Sequence, residues 1–230
     1  MFELDYKQAT AVFSEKSKTR PEITPWGILV HTTGAGIYAA ASKANETPIE
    51  WVLDYYRQRG SCHYLVTRAG SCYQILPETV RGAHAGGSSI QAAERRRKLC
   101  LSGKWEKECH AKGVELWKAR WPGYKSPQHL FPGKSPNDSY IGIELQAPEK
   151  PPKSGSWFTE EQMHRLADIT IDISIRRKYP EGWHLSPRLA GHEDVDPLER
   201  WDARGGWDPG GLRDVFRFDW ASLIAAIESK

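Results

Sequence analysis

The stretch Ile28–Gly34, ILVHTTG, is a run of three branched apolar residues that ends in a histidine and two threonines. A continuous apolar run with Pro25 before it and Gly34 after it predicts a short strand covered on both faces of a sheet. His31 would then stand at the carboxyl end of a central strand, where a rigid scaffold holds its imidazole in a cleft. Imidazole is the commonest protein ligand of metal ions. A lone histidine is more often a satisfied core residue, so this interpretation depends on partners elsewhere in the chain.

Size and composition indicate one ordinary folded domain. The chain has 230 residues, 39% of them hydrophobic and 27% charged, which is enough to bury a large core. Its longest apolar run is far shorter than the roughly 20 residues that span a bilayer, so we expect no membrane insertion. The N-terminus carries acidic residues early and lacks a signal-peptide pattern, so we expect a cytoplasmic protein. We predict a single domain over residues 1–230 and expect a monomer.

The four cysteines, Cys62, Cys72, Cys100 and Cys109, show no CxxC spacing. They do not suit a structural zinc knuckle, and without a signal peptide reduced thiols are the default expectation. A Cys62–Cys72 disulfide across a hairpin stays open as the less favoured alternative.

The segment 91–137 is basic and rich in tryptophan. Between Glu94 and Lys125 it has ten Lys or Arg against four Glu, a balance of +6, which leaves −3 for the rest of a chain of net charge +3. Such a segment predicts either a surface for an anionic polymer or a solvated helical pair with a tryptophan-lined underside. We interpret it as an insertion within the domain and not as a second domain.

Apolar periodicity predicts alternating strands and helices. Helical spacing indicates three helices, at Pro48–Arg59, from Thr159 to about Lys178, and at Asp219–Ser229. Short apolar runs indicate further strands at His63–Thr67, Cys72–Leu76, Tyr140–Leu145 and Leu189–Gly191, of which the first two form a hairpin. Residues 1–24 are predicted to be a polar N-terminal arm, and Gly34–Thr47 a loop at the rim of a cleft.

Three residues are candidate partners of His31. Glu144 lies inside an otherwise apolar run, where an unpaired carboxylate is costly to bury, so it needs a cation, a structural arginine or a functional role. His192 follows the last predicted strand, and His84 lies among small residues in RGAHAGG, where a ligand can approach closely. His31, His192 and a carboxylate near the C-terminus would give a zinc ion two neutral imidazoles and one carboxylate, which leaves the fourth tetrahedral position open, as in a catalytic site.

Five pieces of the chain occur in the order of a known family. They are ILVHTTG, SCHYLVTRAGSCYQILPETVRGAHAGG, NDSYIGIELQ, LAGHEDVDP and WDPGG. Together they resemble the zinc-dependent N-acetylmuramoyl-L-alanine amidases of the type-2 amidase family. That family includes phage lysozyme-type amidases, muropeptide-recycling amidases and peptidoglycan recognition proteins. The resemblance runs from about residue 26 to the C-terminal helix and is interrupted by the basic insertion.

The resemblance implies a fold and a site. The implied fold is α/β, with a mixed central sheet of about five or six strands, helices on its faces and a zinc groove at the strand ends. The implied Zn2+ ligands are His31, His192 and Asp208, the aspartate of the DPG motif. Glu144 matches the catalytic glutamate of the recycling-type members, and His84 matches a histidine near the substrate.

The chain departs from the family in the loop that follows His192. The family usually has a lysine two residues before the ligand aspartate, and here that position is Gly206. Arg200 or Arg204 is the alternative for stabilising the oxyanion, unless that role is missing.

The third zinc ligand has two candidates. Asp208 follows His192 by sixteen residues, which is longer than the family loop, whereas Asp202 follows it by ten. Asp208 is favoured because Pro209 and Gly210 after it allow a tight turn.

The activity implied by the resemblance is cleavage of the amide between N-acetylmuramic acid and L-alanine, with peptidoglycan or a muropeptide as substrate. We favour a phage or prophage endolysin, which acts on the wall after release, because the basic insertion suits an anionic polymer. The alternatives are a cytoplasmic recycling amidase and a peptidoglycan-binding protein without catalysis. We expect no nucleic-acid partner.

Overall fold

The computed structural model is built on a six-stranded sheet with the ILVHTTG strand near its middle. It describes residues 3–34, 36–85, 135–150, 156–192 and 218–230. The strands are β1 (Thr10–Ala11), β2 (Gly27–Thr32), β3 (Tyr64–Val66), β4 (Cys72–Gln74), β5 (Tyr140–Leu145) and β6 (Leu189–Gly191). The helices described are α1 (Ile37–Ala44), α2 (Pro48–Arg59), α3 (Glu160–Arg176) and α4 (Trp220–Glu228).

The strand order is β1-β4-β3-β5-β2-β6. Strand β2 pairs in parallel with β5 on one side and β6 on the other, and only β3 with β4 is antiparallel among the paired strands described. All six residues of β2 are buried, as its continuous apolar run predicts. The predicted α/β class with a mixed sheet of about five or six strands is confirmed.

The register of β2, β5 and β6 brings their carboxyl ends to one edge. His31 is paired with Glu144 across β2 and β5, and Val30 is paired with Gly191 of β6, so His192 follows at the same level. Parallel pairing is the cause, because it sets the ends of strands distant in sequence side by side.

Side-chain alternation then decides which face of the sheet carries the polar groups. Ile28 and Val30 belong to the core that α3 and α4 cover. His31 and Glu144 occupy the opposite parity and face the side of α1 and α2, where Leu65 and Val52 form a second, smaller core. The polar groups at the strand ends therefore lie under α1 and α2.

The helices at α2, α3 and α4 confirm the sequence predictions closely. Capping boxes at Thr47 and Thr159 start α2 and α3, and Gly60 ends α2 in the left-handed conformation. Helix α3 ends at Arg176, two residues before the predicted end.

The predicted loop Gly34–Thr47 is wrong, because α1 lies within it. Ile37 and Ala41, one turn apart, are its buried residues, and Asn45 in the left-handed conformation ends it. Only two residues of this short, alanine-rich helix are buried, so the sequence shows too little periodicity to reveal it.

The N-terminal arm extends the sheet. Strand β1 pairs with β4, and the ring of Tyr6 packs edge-on against Tyr64 at 6.4 Å. Few of its residues are buried, which is why residues 1–24 show no clear period.

Cys62 and Cys72 are buried free thiols, as the reduced default predicts. They belong to the cores on opposite faces of the sheet, so a disulfide between them is excluded by geometry. Cys100, Cys109 and all but residues 135–137 of the basic insertion lie outside the described residues. Within the described ranges, no helix is long and apolar enough to cross a membrane.

Candidate active site

His31 and His192 face each other at the carboxyl edge of the sheet. Their Nδ1 atoms are 2.9 Å apart, and each residue is 1% exposed. Strand β2 carries His31 and the end of β6 carries His192. The two residues predicted as zinc ligands are therefore brought together, with the same ring nitrogen of each directed at the other.

His84 contacts the far side of the His31 ring. Its Nδ1 is 3.0 Å from His31 Nε2, and its Nε2 is 3.2 Å from the carbonyl oxygen of Tyr140. Burial lowers the pKa of His84 well below its ordinary value, and the neighbouring His63 and His192 lower it further. His84 is thus a neutral imidazole, which can donate from one nitrogen and accept at the other.

His63 lies beneath His84 and was not identified as a site residue from the sequence. Its Nδ1 accepts a hydrogen bond from the Gly142 N–H at 2.9 Å, and its Nε2 donates to the Val80 carbonyl at 2.8 Å. Burial lowers its pKa to about 4. His63 begins the predicted strand His63–Thr67, and nothing in the sequence besides the strand pattern distinguished it as a functional residue.

Glu144 lies 6% exposed on the same face as His31. Tyr56 lines the same groove as Glu144, and burial followed by the charge of Glu144 raises the pKa of the Tyr56 hydroxyl well above its ordinary value. Tyr56 is the second residue that the sequence did not reveal, because at helical spacing it was counted only as part of the apolar face of α2.

A cavity of about 480 Å³ opens in front of Glu144 and His84. Its other walls include Ile37 of α1, and Trp51 and Tyr55 of α2. The rings of Trp51 and Tyr55 are stacked, with centroids 5.1 Å apart and planes 26° apart. Aromatic walls beside a few buried polar groups are typical of a small-molecule binding groove.

The described residues supply only some of the ligands that a zinc ion needs. Two buried imidazole nitrogens that converge on one point are chemically suited to Zn2+. No complete group of three metal-ligating side chains occurs among the residues described, and Asp208, Asp202, Arg200, Arg204 and Gly206 lie outside them. The third ligand and the oxyanion group stay predictions.

Comparison with solved structures identifies the class of fold. A selenomethionine derivative of AmpD is 18% identical, with a TM-score of 0.50, and the match covers 99% of each chain. A point mutant of PlyL is 14% identical, with a TM-score of 0.52, and the match covers 96% of this chain and 99% of that one. The mixed sheet and its helices therefore form the fold seen in these two proteins.

The family follows from the sequence itself. The family model for N-acetylmuramoyl-L-alanine amidase matches residues 21–211, which is most of the chain. The chain belongs to this family of enzymes, as the five sequence motifs predict. A comparison with curated proteins gives no match.

Proposed function

We propose that the chain is a zinc-dependent peptidoglycan hydrolase that cleaves the amide between N-acetylmuramic acid and L-alanine of the stem peptide. The observation that carries the proposal is the convergence of the His31 and His192 Nδ1 atoms beside Glu144, at one edge of the sheet of an amidase-family chain.

His31 and His192 would hold the zinc ion, and Asp208 is the proposed third ligand. Bound zinc lowers the pKa of a water molecule to about 7 and polarises a carbonyl group. The neutral state of both imidazoles is a requirement, since a protonated ring has no lone pair for a metal.

Glu144 would move the proton during hydrolysis. A carboxylate at the buried wall of the groove can accept a proton from the attacking water as the water oxygen bonds to the amide carbon. When the C–N bond breaks, the same proton passes to the leaving nitrogen, so the products are the lactyl carboxylic acid and the free amine of L-alanine.

The groove suits a muropeptide of mixed character. The aromatic side chains of Trp51 and Tyr55 in the groove wall offer apolar contact for sugar or peptide, while His84 and Glu144 supply polar groups. We propose an endolysin role over a recycling role because the basic, tryptophan-rich segment 91–137 suits an anionic wall polymer.

The deciding experiment combines metal analysis with hydrolysis. We expect about one zinc per chain, loss of hydrolysis with a chelator, and stem peptides released with a free N-terminal L-alanine. Glu144→Gln should retain zinc and lose about 10²–10⁴ in kcat, because it removes the proton acceptor. The exposed Glu149→Gln, five residues away, is the matched control and should be unchanged. A protein without zinc that binds peptidoglycan but does not hydrolyse it would instead be the binding protein.

The same assay resolves the remaining choices. Zinc content should fall in Asp208→Ala and not in Asp202→Ala, and the reverse result would assign the ligand to Asp202. Turnover of intact sacculi supports an endolysin, whereas activity confined to soluble anhydro-muropeptides would contradict it.

A further inference from the structure

We infer that His84 is a positioning residue for His31: it accepts the Nε2–H of His31 and so keeps the lone pair of His31 on Nδ1, the nitrogen that faces His192. The inference rests on the proposed function in one respect, because the lone pair on Nδ1 is useful only if His31 binds a metal ion. The hydrogen bonds from which the inference is argued do not depend on the metal.

The first step concerns the protons of His84. The carbonyl oxygen of Tyr140, 3.2 Å from His84 Nε2, can only accept a hydrogen bond, so Nε2 carries the proton. In a neutral imidazole the other nitrogen, Nδ1, then has the lone pair. The backbone of β5 therefore decides the tautomer of His84.

The second step is that the tautomer of His84 determines the tautomer of His31. His84 Nδ1 is an acceptor, and the atom 3.0 Å away is His31 Nε2, which must be the donor. A neutral His31 protonated at Nε2 has its lone pair at Nδ1, 2.9 Å from His192 Nδ1. Metal-ligating histidines commonly use their second nitrogen in this way, and the outer partner holds both tautomer and ring orientation.

Two glycines show that the chain is built to seat the His84 ring. A Cβ at Gly142 would overlap His84 Cγ and lie 2.6 Å from its Cδ2, and a Cβ at Gly82 would lie 2.6 Å from the same Cδ2. Neither position can carry a side chain while the ring stays in place. The His84 ring is thus confined between the backbone of β5 at Gly142 and the backbone at Gly82, two residues before His84.

His63 supports this seat from below. It accepts the N–H of Gly142 and donates to Val80, so it ties the β5 backbone to the loop that leads to His84. Its ring lies edge-on to His84, with centroids 5.6 Å apart. The β5 backbone at Gly142 is therefore tied to the backbone at Val80, two residues before Gly82, which limits movement of the two segments that enclose the His84 ring.

This arrangement refines the expectation that His84 binds substrate. His84 lines the groove, but each of its nitrogens has a partner within the protein. A direct hydrogen bond to substrate would break the contact with His31 or with Tyr140. Orientation of His31 is the role that leaves both contacts intact.

The test separates an acceptor from a space-filling side chain. Asn and Leu have similar shapes, but only Asn can offer an oxygen near the position of His84 Nδ1. We expect His84→Leu to weaken Zn2+ binding about 10- to 100-fold in competition with a chelator. His84→Asn should stay within about threefold of wild type, and the exposed His164→Leu should be unchanged. Unchanged zinc affinity in His84→Leu, with only KM raised, would overturn the inference and assign His84 to the substrate.

A second measurement needs no substitution in the site. Nitrogen NMR of the metal-free wild-type protein should show His31 protonated at Nε2 and unprotonated at Nδ1, with His84 in the same tautomer. A His31 protonated at Nδ1, or averaging between tautomers, would overturn the inference. This outcome is distinguishable from failure of the proposed function. If the proposed function is wrong, the wild-type protein will bind no zinc, but NMR of the metal-free protein will still report the tautomer of His31.

Discussion

At the scale of single residues, burial of neutral histidines decides much of the site chemistry. His63 is completely buried and uses one nitrogen as donor and the other as acceptor, an arrangement that only the neutral ring can form. A proton added to Nδ1 would face the Gly142 N–H. Burial removes the His63 ring from solvent and lowers its pKa to about 4, and the stability of the folded state therefore depends on pH.

We predict that His63 makes the protein less stable in mild acid. Its pKa lies below the ordinary 6.5, so the unfolded chain binds the proton first. The contribution of neutral His63 to the free energy of unfolding is complete above about pH 6.5. It is lost as the pH falls toward about 4, at up to about 1.4 kcal/mol per pH unit. His63→Asn keeps an acceptor for Gly142 but cannot titrate. Urea unfolding with chelator present should show a shallower pH dependence for this variant, whereas the exposed His164→Asn should match wild type. Parallel profiles for wild type and His63→Asn would contradict the prediction.

At the scale of elements, a buried carboxylate joins helix α3 to the sheet. Glu78, 0% exposed, accepts hydrogen bonds from Arg176 and Arg177 at the end of α3 and from the Tyr64 hydroxyl of β3. Burial alone would raise the pKa of Glu78, but the hydrogen bonds and charges of Arg176 outweigh it, with help from Tyr64 and Arg177, and the net pKa is lowered. The cluster lies on the face opposite the site and holds α3 over the core.

We predict that Glu78→Gln lowers the free energy of unfolding by about 2–4 kcal/mol, because it leaves two arginines without their buried counter-charge. The arginine side chains are 29% and 22% exposed, so solvent offsets part of the full penalty. Asp172→Asn is the matched control: it removes a more exposed partner of Arg176 and should cost less than about 1 kcal/mol. Chemical unfolding at neutral pH measures both. Equal losses in the two variants would show that burial of Glu78 has no special effect.

At the scale of the whole molecule, the site joins parts of the chain that are distant in sequence. His31 and His192 are 161 positions apart and meet only because β2 and β6 are parallel neighbours. The unfolded chain cannot present this pair, so a metal that binds it must stabilise the folded state.

We predict that zinc raises the stability of the whole domain. At a free concentration one hundred times its Kd, the gain is about 2.7 kcal/mol. For a chain of this size that corresponds to a rise in Tm of about 5–10 °C. Thermal unfolding of the chelator-treated protein with added Zn2+ or Ca2+ tests it. The rise should occur with zinc alone and disappear in His31→Ala but not in His164→Ala. An equal rise in His31→Ala would place the stabilising metal elsewhere.

The elements that the sequence predicted well are those whose pattern is local. The ILVHTTG strand has a continuous apolar run, and α2 and α3 have capping boxes that mark their starts. Helix α1 was not predicted because only Ile37 and Ala41 in it are buried. The family motifs in turn pointed to His31, Glu144, His84 and His192 without any geometry.

The sequence by itself determined the fold class, the family and the residue types of the site, because apolar periodicity, caps and motif order are all written along the chain. Only the tertiary structure decided which nitrogens meet and what supports them. The contacts of His84 with His31 and of His63 with the Gly142 backbone join separate elements, and one groove brings Tyr56 and Glu144 together. They depend on strand register, side-chain parity and the space left by glycines, which no local pattern specifies.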